Sequence, residues 1–124
     1  MLGSNKLIAF VGTRDANRAK GFYRDTLGLR LVSEEGPAVV FDVGGTMLRV
    51  TSVAEVAKAP YTVLGWEVAN ARETVLALLK RGVKFERYEF MQQDELGVWT
   101  APSGARVAWF KDPDGNLLSV SQMT

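Results

Sequence analysis

The order strand, helix, strand, strand, strand occurs twice along the chain, and this repeat constrains the fold more than any other feature. In the first copy, a β-rich run at residues 6–13 precedes Asp15, which stands at an N-cap position before apolar residues at helical spacing. Gly28 ends this predicted helix. Three strand-like runs follow, at residues 29–33, 38–43 and 46–52. The last two meet at Gly44 and Gly45, a two-residue hairpin signal.

The second copy begins after a connector at residues 53–61 that carries no strand pattern. A strand candidate at 62–68 leads into a predicted helix, which has Asn70 and Glu73 as a capping pair and Gly82 at its end. The remaining strand-like runs lie at residues 83–89, 97–101, 105–111 and 117–122, with a turn at 112–116. We expect residues 90–96, which have no counterpart in the first copy, to form a loop.

Each predicted unit buries one face of its sheet under a helix and leaves the other face uncovered. We therefore predict an α+β fold in which two β-α-β-β-β repeats form a curved mixed sheet around a cleft. The repeats cover about residues 6–52 and 62–122, and residues 1–124 make up a single domain. The two uncovered faces become the walls of the cleft, where we expect the functional site.

The chain of 124 residues contains no histidine and no cysteine. Zinc sites need thiolate or imidazole ligands, and iron sites with two histidines and a carboxylate need imidazole. Catalysis by Ser–His–Asp or Cys–His groups is excluded for the same reason. An oxygen-only Mg²⁺ or Ca²⁺ site and acid–base catalysis by Asp, Glu, Lys or Tyr remain open.

The formal net charge of +1, without any cluster of basic residues, argues against a nucleic-acid partner or an anionic membrane surface. The apolar runs are too short to span a bilayer. The absence of cysteine removes any need for an oxidising compartment, and the first ten residues lack the pattern of a signal peptide. We therefore expect a soluble, cytoplasmic protein.

Two short segments carry a family signal: FYRDTLGL at residues 22–29 and FKDPDGN at residues 110–116. They resemble the first-helix and closing signatures of the vicinal oxygen chelate superfamily, the group of glyoxalases, bleomycin resistance proteins and extradiol dioxygenases. With the repeated element order around them, the resemblance covers about residues 6–122. It implies the glyoxalase/bleomycin resistance fold, and it also implies a homodimer.

Enzymes of this superfamily usually hold a divalent metal with one His, Glu or Gln from each of four cleft strands. The corresponding positions here are Ile8, Arg49, Val63 and Ser119, and none carries a ligand of the family type. The resemblance is therefore to the metal-free branch, which includes the bleomycin-binding resistance proteins. It implies no metal, no cofactor and no catalytic residue, so we do not expect an active glyoxalase I or extradiol dioxygenase.

Alternation of side chains along the strands predicts which of them line the cleft. The candidate ligand-binding residues are Phe10, Phe41, Met47, Arg49, Val63, Glu67, Met91, Trp99, Trp109 and Ser119. Such a pocket is apolar and aromatic with a few polar groups, which is typical of a site for a small organic molecule. Each aromatic residue has core packing as its alternative role, and the loop at 90–96 is a candidate lid.

Arg49 needs a partner, because an unpaired guanidinium on an inward-facing strand is costly. Glu67 or another acidic side chain can pair with it, or it can bind a carboxylate, phosphate or similar group of a ligand. Other acidic pairs, at residues 34–35 and 94–95, are predicted to be solvated. The aspartates of the 112–116 turn are predicted to shape the turn and not to bind calcium.

The leading hypothesis is metal-independent binding or sequestration of a small, partly aromatic organic molecule, as in the resistance proteins of the superfamily. An anionic group on the molecule would suit Arg49. The first alternative is a metal-free isomerase or lyase that uses Glu67, Arg49 or a tyrosine such as Tyr88. The second is an interaction module whose cleft is filled by its own side chains.

Overall fold

Two four-stranded mixed sheets, each with one face covered by a helix, make up the protein. The computed structural model describes residues 1–124 and divides into two units. Unit 1 is Met1–Ala57 and unit 2 is Lys58–Thr124. The boundary lies within the predicted connector at residues 53–61. An α+β fold built from two mixed sheets is thus confirmed.

Unit 1 follows the predicted order of elements after a short 3₁₀ turn at Leu2–Ser4. Its elements are β1 (Ile8–Thr13), α1 (Ala16–Gly21), β2 (Arg30–Glu35), β3 (Ala38–Val43) and β4 (Thr46–Ser52). The strand order is β1-β4-β3-β2, in which β1 and β4 are parallel and the other pairs are antiparallel.

Helix α1 begins where the sequence indicates but ends earlier, at Gly21, and a π-helical turn completes the predicted helical segment before Gly28. Asp15 is its N-cap, and a carboxylate oxygen accepts a hydrogen bond from the Arg18 backbone amide at 3.1 Å. The helix continues into a wider π-helical turn at Phe22–Thr26, in which the Leu27 amide donates to the Phe22 carbonyl at 3.0 Å. Gly28 follows with φ of +76°, a conformation in which glycine has no Cβ penalty.

Unit 2 has the same order but shorter strands. Its elements are β5 (Leu64–Glu67), α2 (Ala71–Lys80), β6 (Trp99–Thr100), β7 (Arg106–Lys111) and β8 (Leu117–Gln122). The strand order is β5-β8-β7-β6, with β5 parallel to β8. Asn70 caps α2 by accepting a hydrogen bond from the Glu73 amide at 3.0 Å, as predicted.

The predicted strand at residues 83–89 is wrong, since only Phe85 of this segment forms a β-bridge, with Phe110. The side chain of Gln93 takes the place of a neighbouring strand. Its amide oxygen accepts from the Tyr88 backbone amide at 2.8 Å, and its amide nitrogen donates to the carbonyls of Glu86 and Gly97. Backbone groups satisfied in this way do not need a ladder partner.

The turn at residues 112–116 is built around the buried carboxylate of Asp112. One of its oxygens accepts from the backbone amides of Asp114 and Asn116, both at 2.9 Å. Its other oxygen accepts from the side-chain amide of Asn116 at 2.8 Å. The predicted role of this acidic sequence in shaping a turn between β7 and β8 is confirmed.

Side-chain alternation gives each sheet a buried face under its helix and an open face on the other side. In unit 1, Leu48 and Val50 lie on the buried face. In unit 2, Ala108, Phe110 and Leu118 do so. The residues between them in sequence occupy the open faces, which carry the candidate functional side chains. Neither α1 nor α2 has the length and hydropathy of a membrane-spanning helix.

We expect Asp112→Ala to lower the free energy of unfolding by about 2–3 kcal/mol, because it removes the carboxylate that accepts from the backbone and side-chain amides of Asn116. Asp112→Asn retains the oxygen that accepts from the two backbone amides and is expected to lose less. Urea denaturation of the three proteins measures the difference. Equal stability of Asp112→Ala and the unmodified protein would contradict this account of the turn.

Candidate functional site

Arg49 lies at the centre of the open face of unit 1. Its neighbours across the sheet are Phe10 on β1 and Val40 on β3. Phe10 is 62% exposed, and Ile8 and Met47 beside it are 46% and 39% exposed. Exposed apolar side chains that cluster in this way are typical of a surface that binds another molecule. We call Ile8, Phe10, Met47 and Arg49 the Arg49 face.

The partner of Arg49 within unit 1 is Glu35, whose carboxylate lies 3.3 Å from Nη1. Glu35 is also held by the Ser33 hydroxyl, which donates to it at 2.8 Å. The Ser33 hydrogen bond and the Arg49 guanidinium lower the pKa of the Glu35 carboxyl. Glu34 pairs with Lys20 at 3.3 Å on the other face of the sheet. Both glutamates therefore form ion pairs, which corrects the expectation that they are merely solvated.

A groove of about 400 Å³ opens beside Met47 on the same side of the sheet. Its apolar lining comes from Leu7, Ile8, Val32, Val40, Phe41 and Met47. The ion pair between Arg30 and Asp42, at 3.0 Å, supplies polar groups to its wall. An apolar groove with a few charged groups is the kind of surface that binds small organic molecules.

Four aromatic side chains lie together in unit 2. The ring of Trp109 is 6.0 Å from that of Trp99 and 5.8 Å from that of Tyr88, and Tyr88 is 5.5 Å from Phe90. We call these four residues the aromatic cluster. Phe90 is 81% exposed, so the cluster offers at least one ring surface to an incoming planar molecule. Burial raises the pKa of the Tyr88 phenol, and the charge of Glu86 adds to this effect.

Two contacts hold the Trp109 side chain in place. Its indole nitrogen donates a hydrogen bond to the Thr62 hydroxyl at 3.1 Å, while its ring packs edge-on against Tyr88. In the sheet register Trp109 on β7 lies opposite Ser119 on β8, and Ser119 lies opposite Gly65 on β5. The tryptophan ring and the serine hydroxyl are therefore neighbours on the open face of unit 2.

Ser119 is 6% exposed, and its hydroxyl makes no hydrogen bond within the protein. A Cβ atom at Gly65 would lie 2.8 Å from the Ser119 oxygen, so only glycine leaves this hydroxyl uncovered. The hydroxyl is not among the buried polar atoms that lack a partner, so it still reaches solvent, and a ligand oxygen or nitrogen can hydrogen-bond to it. Gly65 thus contributes to the candidate site by its missing side chain, although it was not among the predicted ligand-binding residues.

Phe41 does not lie on the open face, contrary to its assignment to the candidate site. Its side chain is fully buried, and its ring packs 6.0 Å from that of Tyr23, which follows α1. In the register it pairs with Leu48, another buried residue. Phe41 is therefore a core residue. Because successive side chains of a strand point to opposite faces, an error of one residue in the predicted register was enough to assign it to the wrong face.

Three other candidate residues are spread over unit 2. Val63 is partly exposed next to the start of β5. Glu67 lies at the opposite end of β5, in a polar groove of about 490 Å³ that Gln122 and Thr124 also line. Met91 is in a turn where its backbone amide donates to the Tyr88 carbonyl at 3.1 Å. None of the three is in ring or ion-pair contact with the aromatic cluster.

The loop at residues 90–96 is tied to α2 by Arg72, which forms ion pairs with Asp94 and with Glu95. Asp94 also accepts hydrogen bonds from the backbone amides of Leu96 and Val98, both at 2.9 Å. Burial alone raises the pKa of Asp94, but these amides and Arg72 outweigh that effect and hold it below its usual value. The expectation of a solvated charge is therefore wrong for Asp94, whereas Glu95 pairs with Arg72 and is still 69% exposed.

Comparison with known proteins identifies the family. A model of the Glyoxalase/Bleomycin resistance protein/Dioxygenase superfamily matches residues 7–120. The chain belongs to this superfamily. No curated protein sequence matches the chain significantly. The predicted resemblance to the vicinal oxygen chelate superfamily is thus confirmed.

Several solved structures superpose on this chain over nearly their whole length. A superfamily member from Sphaerobacter thermophilus DSM 20745 superposes with a TM-score of 0.76 at 22% identity, covering 98% of this chain and 99% of that one. Lactoylglutathione lyase from Agrobacterium tumefaciens gives 0.73 at 19% identity, covering 96% and 93%. TioX from Micromonospora sp. ML1 gives 0.72 at 19% identity, covering 98% and 100%. At these identities the likeness is one of fold.

The residues at the superfamily's metal positions do not fit a divalent ion. Ile8 and Val63 have alkyl side chains, Arg49 is a cation, and Ser119 offers one neutral hydroxyl. No group of three or more Asp or Glu side chains lies close enough together to hold a metal elsewhere in the chain. Alkyl groups, a cation and one neutral hydroxyl are not the carboxylate, imidazole or thiolate ligands that hold a divalent ion, so these four residues do not fit the metal of the superfamily's enzymes.

The network around Asp94 predicts a pH dependence of stability. Because its pKa is lower in the folded protein than in the unfolded chain, the Asp94 charge stabilises the fold fully above about pH 4. That contribution is lost as the pH falls through the folded-state pKa. Urea denaturation of the unmodified protein and of Asp94→Asn should therefore differ most near pH 7 and converge in acid.

Glu89→Gln, which removes an exposed carboxylate outside this network, is the control for the loss of a negative charge. A stability difference for Asp94→Asn that stays constant from pH 7 to pH 3 would show that its charge does not hold the loop.

Proposed function

We propose that the protein binds a small, at least partly aromatic organic molecule without the help of a metal ion. The observation that supports this most strongly is the aromatic cluster of unit 2, in which Phe90 is 81% exposed, together with the uncovered hydroxyl of Ser119. The rings provide stacking surface, and the hydroxyl provides one hydrogen bond that fixes the orientation of the ligand. Binding by these groups needs neither a metal nor a chemical step.

A catalytic role finds less support in the arrangement of the titratable groups. The raised pKa of Tyr88 keeps its phenol protonated near neutral pH, so it is suited to donate a hydrogen bond and not to act as a base. Glu67 is exposed and has no hydrogen-bond partner that would orient it towards a substrate. The lactoylglutathione lyase has the same fold, but the superfamily's metal ligands are missing here.

A ligand-free interaction module is also less well supported, because exposed rings such as Phe10 and Phe90 do not fill their own open faces. The homodimer and the cytoplasmic location inferred from the sequence stay predictions. Sequestration requires only that these side chains bind the ligand, and it needs no catalytic group.

The proposal predicts that Trp109→Leu weakens the binding of 2-naphthamide, a neutral aromatic probe, by about fivefold, as expected for the loss of one aromatic pair. Titrations followed by NMR can use the three tryptophan indole signals. Those of Trp99 and Trp109 should shift with the probe. Trp66 should not shift, because its indole nitrogen is buried and it pairs in register with buried Val120.

Two controls accompany this titration. Tyr61→Leu removes an exposed aromatic side chain that contacts no other ring, and it should leave the affinity unchanged. Treating the protein with a chelator should have no effect either. Loss of binding in the chelator, or equal weakening by Trp109→Leu and Tyr61→Leu, would count against a metal-free aromatic site.

A further inference from the structure

We propose that the Arg49 face of unit 1 binds the carboxylate of an organic acid, with Arg49 as the anion receptor and Phe10 as the surface for the apolar part. This inference rests on the proposed function, and it narrows the class of molecule from aromatic compounds in general to organic anions. It is carried by three observations: the free edge of a half-buried guanidinium, the weak hold of its one acidic partner, and the apolar side chains around it.

The guanidinium of Arg49 has an unused edge. Its side chain is 25% exposed, and Nη1 makes both of its contacts, with Glu35 and with the sulfur of Met47. Nε and Nη2 donate to no group of the protein. These two nitrogens present parallel N–H groups that match the two oxygens of a carboxylate. These donors have no acceptor in the protein and still reach solvent, so an arriving carboxylate can replace the water that hydrates them.

Glu35 positions this guanidinium without saturating it. The separation of 3.3 Å from Nη1 is long for a charge-assisted hydrogen bond, which is usually 2.7–2.9 Å. Ser33 anchors Glu35 more closely, at 2.8 Å, and the Glu35 side chain is 55% exposed. An exposed ion pair of this kind contributes little stability. The acidic partner therefore leaves the Nε–Nη2 edge free, while its charge reduces the attraction of Arg49 for an anion.

The surroundings of Arg49 favour an organic anion over an inorganic one. Phe10 and Val40 flank it on the two neighbouring strands, and Ile8 and Met47 extend the apolar surface along β1 and β4. Val40 is buried, so the accessible apolar surface belongs to Phe10, Ile8 and Met47. Phosphate or sulfate would use the guanidinium alone and leave these three side chains in water. A carboxylate attached to an apolar or aromatic body covers them as well.

The test uses the full chain and two probes of equal shape, 2-naphthoate and the neutral 2-naphthamide. We expect naphthoate, and not the amide, to shift the ¹⁵Nε signal of Arg49 in NMR titrations. Arg49→Gln should weaken naphthoate binding by about tenfold or more, in line with the loss of a bidentate charged contact, and leave the amide unaffected. Glu35→Gln should strengthen naphthoate binding several-fold, because it removes the competing negative charge.

The chain offers a closely matched control in Lys20. Its ion pair with Glu34 has the same 3.3 Å separation, and the side-chain exposures of 23% and 55% are close to the 25% and 55% of Arg49 and Glu35. It lies on α1, so Lys20→Gln removes one positive charge from unit 1 away from the open face. Naphthoate affinity should not change in this variant. Equal weakening of naphthoate binding by Lys20→Gln and Arg49→Gln would show that the loss of affinity comes from the change in net charge alone, and it would overturn the proposal.

Arg49→Lys tests the bidentate geometry of the guanidinium independently of its charge. It also replaces Arg49→Gln as the test variant if urea denaturation shows that Arg49→Gln is destabilised. It keeps the charge but loses the bidentate edge, so naphthoate should bind more weakly than to the unmodified protein. Unchanged naphthoate binding in Arg49→Lys, or inorganic phosphate binding as tightly as naphthoate, would contradict an organic-acid site. The proposed function fails by a different result, namely no shift of the Trp99 and Trp109 indole signals with either probe.

Discussion

The alternation of side chains between the two faces of each sheet is the constraint on which the rest of the structure depends. In β4, Leu48 and Val50 must lie beneath α1, and Arg49 between them must then lie on the open face. A register shift of one residue would bury the guanidinium and expose both apolar side chains, which is strongly unfavourable. The same rule buries Phe110 in unit 2 and leaves Trp109 available.

None of the four residues expected at the superfamily's metal positions is a His, Glu or Gln, and each has a side chain that can contact an organic molecule. Ile8 and Val63 add apolar surface, Ser119 adds a hydroxyl above Gly65, and Arg49 adds a cation. None of these substitutes for a Lewis acid. Within unit 1, Ile8 and Arg49 supply apolar surface and one charge. Within unit 2, the aromatic cluster and Ser119 supply stacking and one hydrogen bond, and each set is of the kind that binds small molecules.

The sequence predicted the parts of the fold that depend on local chemistry. The caps at Asp15 and Asn70 depend on a side chain and backbone amides a few residues away, so their residue types were sufficient evidence. Phe41 was misplaced because its face is set by the pairing of β3 with β4, in which it lies opposite buried Leu48, and no local pattern reports that pairing. The network that joins Arg72 to Asp94 spans 22 residues, and no local pattern reports it.

The central claim is that this member of the superfamily binds an organic molecule through its own side chains and without a metal ion. Native mass spectrometry of the purified protein, combined with elemental analysis of the same sample, tests it most directly. The account predicts a metal content far below one ion per chain, together with a retained organic mass that denaturation releases. One firmly bound divalent ion per chain, and no organic ligand, would contradict it.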